Sequence, residues 1–290
     1  HRHRSVMSAM VALATTVLGA AGPGGSREWG RAGGGVTCPG AHTLCPVADT
    51  CCIGKSPDAY RVPGGFGCMP PHSANWSGCA GGGISPKGCC CGPGPSNISS
   101  TVPNVLVIGD SVSAGYTPFL RAGLGAAANV QHGPDNAGGG NADGSGYGRL
   151  CTPYFVRTPT GTLPKWKVIT FNFGLHDGPT DLGAYTDNLA NITTTLVGVA
   201  ADTGASLLYV TTTIPGGAAE PASAPDRTKV EQLNAAALKV VAAHNIAVVD
   251  LYATMEACGA ACDGCKPHCG PDGYAYLVEH GLLPAVRKLL

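Results

Sequence analysis

Three segments of the sequence carry side chains suited to nucleophilic chemistry. Ser111 follows the apolar run 105–108. His176 lies in Gly174-Leu-His-Asp177, and His268 lies in a cysteine-rich segment near the end of the chain. A serine hydroxyl attacks well only when a base removes its proton, and the oxyanion that it creates needs preorganised N–H donors. A serine and two histidines can supply the nucleophile, the base and a donor for acyl transfer.

The apolar pattern predicts the elements that must bring these side chains together. Short apolar runs predict β-strands, and apolar residues that recur at steps of three and four predict helices with one buried face. The predicted strands are 105–108, 129–132, 168–172, 206–212 and 246–250. The predicted buried helical positions are Leu182, Tyr185, Leu189, Ile192, Leu196 and Val199, then Val230, Leu233, Ala237 and Val240, and finally Tyr274, Leu277, Val278 and Val286 in a helix over about 271–289.

Alternating strands and helices predict an α/β fold in which a parallel sheet lies between two helical layers. Ligands of such sheets bind at the carboxyl ends of the strands. Ser111, the segment 174–177 and the stretch after Asp250 all follow predicted strand ends, so we expect the site at that edge. We expect a loop over 133–148 and a surface position for His132.

The composition changes near residues 96–102 and divides the chain into two parts. Residues 36–95 hold nine of the 14 cysteines, many glycines and prolines, and no periodic apolar segment, which predicts a small disulfide-rich module. Residues 103–290 are the predicted catalytic domain. Nine cysteines precede residue 96 and five follow it, so complete pairing requires an odd number of bridges between the two parts.

The start of the chain and its cysteines favour the secretory pathway. Residues 1–22 combine a basic start with an apolar run that is typical of a secretory signal and too short to span a bilayer. Sequons at Asn75, Asn97 and Asn191 predict a glycoprotein. Basic and acidic residues balance at 18 each, so we expect no nucleic-acid partner, and no stable membrane insertion of the mature chain.

The three segments resemble the sequence blocks of the SGNH, or GDSL-type, hydrolases. Gly109-Asp-Ser-Val-Ser113 resembles the first block, and Phe171-Asn-Phe-Gly-Leu-His-Asp177 resembles the third, with His176 where asparagine is usual. His268 followed by Gly273-Tyr274 resembles the last block. The resemblance implies a three-layer, flavodoxin-like fold and a secreted esterase that hydrolyses carboxylic esters with no metal or organic cofactor.

The resemblance also implies roles for individual residues. Ser111 is the implied nucleophile, its backbone N–H one oxyanion donor, and His268 the implied general base. A second donor is a single glycine within 138–140, of which we favour Gly139. His176 is the implied third donor, provided that its ring presents an N–H to the oxyanion, with Asp177 as a candidate partner that fixes the tautomer.

One position departs from the resemblance. The family carries an orienting aspartate three residues before its histidine, and here that residue is Cys265. Asp263, five residues before His268, is the carboxylate that we favour for this role. The alternatives are a Ser-His dyad in which a backbone carbonyl accepts the imidazole N–H, and an enzyme that has lost most of its activity.

The sequence leaves the substrate and two rival functions open. Small-molecule or carbohydrate esters are the expected substrates, with O-acetylated carbohydrate favoured over lipid esters. One rival is a catalytically inert extracellular adhesion or binding protein on the same fold. The other is a zinc-binding interaction protein that uses the cysteines and histidine of 258–269, although disulfides are the expected fate of these cysteines in a secreted chain.

Overall fold

The computed structural model describes residues 94–135, 141–215 and 225–290, and before them only short strands. The predicted signal segment 1–22, most of the predicted module 36–95 and Gly139 lie outside the described residues. The short strands pair antiparallel: β1 (Arg31–Ala32), β2 (Gly35–Thr37) and β3 (Leu44–Pro46) form one sheet, β4 (Thr50–Ile53) pairs with β5 (Phe66–Met69), and β6 (Gly83–Ile84) pairs with β7 (Cys90–Cys91).

A parallel sheet of five strands forms the centre of the domain that follows. Its strands are β8 (Asn104–Ile108), β9 (Asn129–Gly133), β10 (Trp166–Phe171), β11 (Ser206–Val210) and β12 (Ala247–Val249). Their order is β12-β11-β10-β8-β9, and every neighbouring pair is parallel. This order is flavodoxin-like, and the strand order reverses between β8 and β10, where such folds bind ligands. The predicted fold class is confirmed.

Helices cover both faces of the sheet because successive strand residues point to opposite sides. Val105 and Val107 pack into one apolar cluster, and Leu106 and Ile108 pack into the other. The first cluster is completed by α1 (Ser111–Leu124), α5 (Leu251–Glu256), α6 (Pro271–Leu277) and α7 (Leu283–Arg287), and the second by α2 (Ser145–Phe155), α3 (Leu182–Thr203) and α4 (Arg227–Ala242).

Most predicted core positions are buried, and the exceptions have local reasons. Leu182 is 37% exposed because it is the first residue of α3, where it lies at the end of the apolar face. The predicted last helix is a continuous succession of α6, a π-helical turn at Val278–Leu282 and α7, and its four predicted positions are all buried.

The predicted loop over 133–148 is wrong at its end, because α2 begins at Ser145. The glycines of this segment look like a loop signal, yet packing explains why residue 148 is a glycine. A Cβ at Gly148 would overlap the buried ring of Phe173, so the helix can approach β10 only with glycine there.

The described disulfides include two short bridges near the end of the domain, Cys258–Cys262 and Cys265–Cys269. The prediction that these cysteines form disulfides is confirmed. Cys151 is also disulfide-bonded. Among the residues described, no helix is both long and apolar enough to cross a membrane.

Candidate active site

Ser111 lies where β8 passes into α1, at the strand-order reversal. It is the first residue of α1, and Asp110 caps that helix by accepting a hydrogen bond from the Val112 backbone N–H at 2.9 Å. The first N–H groups of a helix have no partner within the helix and lie at the positive end of its dipole. The backbone at Ser111 is therefore suited to stabilise a developing oxyanion.

His268 lies against Ser111 across the carboxyl edge of the sheet. Its Nε2 is 2.7 Å from Ser111 Oγ, which is the hydrogen bond that a general base makes to a serine nucleophile. His268 is exposed and Ser111 is partly exposed, so an ester can reach both side chains from solvent. The structure thus brings together the predicted nucleophile and the predicted base, which are 157 residues apart in sequence.

Asp263 is not brought to His268. The Asp263 side chain is exposed and makes no hydrogen bond or ion pair to any described residue. Within the described ranges, the hydrogen bond to Ser111 is the one that the His268 side chain makes, so no described carboxylate or carbonyl accepts from Nδ1. Cys265, at the position of the family's aspartate, is bonded to Cys269.

His176 is held beside the nucleophile segment by residues on both sides of it. The Tyr185 hydroxyl donates to the Phe173 carbonyl at 2.9 Å, which fixes the backbone just after β10. The His176 Nδ1 atom lies 2.8 Å from an oxygen of Asp143, whose side chain is only 6% exposed. The Ala142 backbone N–H donates to the Gly109 carbonyl at 2.7 Å, which ties the Asp143 segment to the turn that carries the nucleophile.

Asp143, rather than Asp177, is therefore the described partner of the His176 ring. Asp177 accepts hydrogen bonds from the Ser145 backbone N–H at 2.9 Å and from its hydroxyl at 2.6 Å, which anchors the start of α2. Burial raises the pKa of Asp177 to about 6.

Asp143 has little signal in the sequence, since it lies among glycines and small residues that suggest a loop. Its backbone has a φ of 52°, a left-handed conformation that aspartate tolerates better than most side chains. Asn141 supports this turn by accepting from the Asp143 N–H at 2.7 Å. Uncommon backbone of this kind is typical of functional sites.

A second serine–histidine pair lies behind the nucleophile, and it corrects the expected surface position of His132. The His132 ring is buried, with Nε2 2.7 Å from Ser113 Oγ and Nδ1 2.7 Å from the Pro134 carbonyl. Burial lowers the pKa of His132 to about 4, so the ring is neutral at pH 7. Because Pro134 offers only an acceptor, the neutral ring carries its proton on Nδ1.

A small cavity lies beneath Asp110. Its volume of about 10 Å³ is the space of about one water molecule. Asp110 Oδ2, the Tyr116 hydroxyl and Thr213 Oγ1 are buried around it and have no hydrogen-bond partner among the described residues. Burial also raises the pKa of the Asp110 carboxyl. Three polar groups around such a space form a suitable site for one bound water.

Comparison with known proteins shows a fold that is shared with hydrolases. No protein-family model and no curated protein matches the sequence significantly. The aryl esterase of M. smegmatis is similar, with a TM-score of 0.51 at 14% identity over 65% of this chain and 100% of that chain. LAE5, an α/β hydrolase enzyme from the metagenome of Lake Arreo, Spain, has a TM-score of 0.50 at 14% identity over 65% of this chain and 96% of that chain.

These likenesses define the class of fold: this chain has the fold of hydrolases that include an aryl esterase. The predicted three-layer α/β fold is thus one that known hydrolases share.

The buried His132 predicts a specific pH dependence of stability. Its pKa is about 4 when folded, against 6.5 for a free histidine, so the unfolded chain binds the proton more readily between these values. The contribution is therefore complete above pH 6.5 and is lost as pH falls towards 4. Between pH 7 and pH 4 we expect the wild type to lose about 3 kcal/mol more unfolding free energy than His132→Gln. Denaturant unfolding at each pH measures this difference, and parallel curves for the two proteins would contradict it.

Proposed function

We propose that this chain is a serine esterase that hydrolyses carboxylic esters through Ser111 and His268. The observation that carries the proposal is the 2.7 Å contact between Ser111 Oγ and His268 Nε2, located at the carboxyl edge of the sheet and at the start of a helix. A nucleophile within hydrogen-bond distance of a base is the basic requirement of this chemistry. The fold shared with an aryl esterase supports the assignment.

The reaction that we propose proceeds in two acyl-transfer steps. His268 Nε2 accepts the Ser111 proton as Oγ attacks the ester carbonyl carbon, and the carbonyl π electrons move to oxygen to form the oxyanion. The imidazolium of His268 then protonates the leaving alcohol as its bond to carbon breaks. Water, deprotonated by His268, attacks the acyl-serine in the same way and releases the acid and free Ser111.

His176 is the proposed side-chain donor to this oxyanion, beside the backbone N–H groups of Ser111 and of a glycine near Gly139. Because His176 Nδ1 faces the Asp143 carboxylate at 2.8 Å, that nitrogen carries a proton. Nε2 is then the ring nitrogen that is left to meet the oxyanion, and it donates when it also carries a proton. A cationic donor stabilises an oxyanion more strongly than a neutral amide.

Short acyl groups on carbohydrate are the substrates that we propose. His268 is exposed and Ser111 is partly exposed, so the pair is open to solvent. An open site of this kind suits an acetyl group on a large alcohol such as a carbohydrate, because the alcohol can remain outside the site.

Secretion remains part of the proposal. The bridges Cys258–Cys262 and Cys265–Cys269 and the disulfide-bonded Cys151 support an oxidising compartment, because such bonds persist in extracellular and secretory environments.

Removal of either member of the pair should abolish catalysis. We expect Ser111→Ala and His268→Gln each to lower kcat/KM for p-nitrophenyl acetate by about 10³-fold or more. A fluorophosphonate probe should label the wild type at Ser111, as peptide mass spectrometry can verify. Asp263→Ala is the control, and it should change little because Asp263 makes no described contact with His268. An unlabelled wild type would favour the inert binding protein.

His176 should act as a hydrogen-bond donor. We expect His176→Ala to lower kcat by about 10²-fold, the usual cost of losing one oxyanion donor. His176→Asn is the matched control, because its side-chain amide also donates a hydrogen bond, so it should keep much of the activity. A kcat of His176→Ala close to that of the wild type would contradict the role.

Chain length of the acyl group separates the two substrate classes. We expect kcat/KM for p-nitrophenyl acetate to exceed that for the octanoate by about tenfold or more. Acetylated xylan should release acetate with the wild type and not with Ser111→Ala. Equal or better hydrolysis of the octanoate would replace the carbohydrate proposal with lipid-ester hydrolysis and would leave the nucleophile unaffected.

A further inference from the structure

We infer that the Cys265–Cys269 disulfide positions His268 for catalysis, in the role that a carboxylate would otherwise have. The inference rests on the proposed function, since it concerns the base of that reaction. His268 lacks an orienting carboxylate among the described residues, yet its Nε2 lies 2.7 Å from Ser111 Oγ. Among the described residues, no hydrogen bond to Nδ1 holds the ring in place.

The bridge closes a very short loop around the histidine. Cys265 and Cys269 are separated by only four positions, and His268 is the residue directly before Cys269. A covalent link across so few residues removes most of the conformational freedom of the backbone between them. The Lys266 N–H also donates to the His268 carbonyl at 3.3 Å within this loop. The position of the ring is thus set mainly by its own backbone.

The bridge is itself fixed to the start of α6. A Cβ placed on Gly273 would lie 2.8 Å from Cys269 Cβ and 3.1 Å from Cys265 Sγ, so the bridge packs directly on this glycine. The absence of a side chain at Gly273 lets the loop lie this close to the helix. This contact explains why residue 273 is a glycine, in addition to its position near the start of α6.

The same helix is in contact with the helix that carries the nucleophile. Tyr274 is buried, and a Cβ on Gly115 of α1 would overlap its ring. The ring also packs against Phe119 of α1, with centroids 6.1 Å apart. A continuous set of contacts therefore runs from the bridge through Gly273 and Tyr274 to α1, whose first residue is Ser111.

The neighbouring bridge provides a natural control. Cys258–Cys262 has the same sequence separation of four but encloses no histidine. The sulfur atoms of Cys262, Cys265 and Cys269 lie within 4.8 Å of one another, so the two bridges are adjacent. A general loss of stability in the tail should follow removal of either bridge, whereas loss of the position of His268 should follow removal of only one.

The experiment compares Cys265→Ser/Cys269→Ser with Cys258→Ser/Cys262→Ser in the full chain. Hydrolysis of p-nitrophenyl acetate gives kcat and KM, and fluorophosphonate labelling gives both a rate constant and the final fraction of labelled Ser111. We expect loss of the Cys265–Cys269 bridge to lower kcat and the labelling rate constant by about 10²-fold, as for a small misplacement of a catalytic group. KM and the final labelled fraction should change little, and the control should keep kcat near that of the wild type.

A second pair of variants leaves both bridges intact. Gly273→Ala pushes a methyl group against the bridge and against the Ala261 carbonyl at 3.0 Å, whereas Gly264→Ala, one residue before Cys265, meets no atom within 4 Å. We expect Gly273→Ala to lower kcat and the labelling rate constant while the final labelled fraction stays complete. Gly264→Ala should leave kcat and the labelling rate constant unchanged.

The outcomes separate the two proposals. Equal losses from removal of either bridge, or an unchanged kcat after removal of Cys265–Cys269, would overturn the positioning role while Ser111 remained the nucleophile. If removal of Cys265–Cys269 prevents folding, an unchanged kcat in Gly273→Ala would overturn the positioning role instead. A wild-type protein that the probe does not label at Ser111 would overturn the proposed function itself.

Discussion

The hydrogen bond between Ser111 and His268 depends on the arrangement of the whole domain. Its two partners come from opposite ends of the domain, and no local structure connects them. The parallel sheet brings the carboxyl ends of its strands to one edge, and α1 begins there with Ser111 as its first residue. The C-terminal helices pack on the same face of the sheet as α1, which returns the histidine to that edge.

The two histidines near Ser111 are held in place in different ways. On one side, His176 is paired with the buried carboxylate of Asp143. On the other side, His268 has no such described partner and lies in a loop closed by Cys265–Cys269. The described carboxylate therefore accompanies the proposed donor rather than the proposed base.

The strands were predictable because buried parallel strands consist of unbroken apolar runs, and the first block of residues followed from the strand before it. The start of α2 could not be predicted, because the sequence does not show that the ring of Phe173 packs against one of its glycines. Asp143 and the burial of His132 depend on contacts between distant segments, which spacing does not encode. Cys265, at the position where the resemblance places an aspartate, is bonded to Cys269, and such a pairing cannot be deduced from cysteine positions alone.

The sequence separation between Ser111 and His268 also bears on how the protein is made. Ser111 emerges from the ribosome long before His268, and α1 gains much of its apolar packing only from helices that are synthesised last. A nascent or truncated chain that ends before His268 therefore lacks the proposed base. Under the proposed mechanism, ester-cleaving ability arises in one late event of biosynthesis, when the tail docks and its cysteines oxidise.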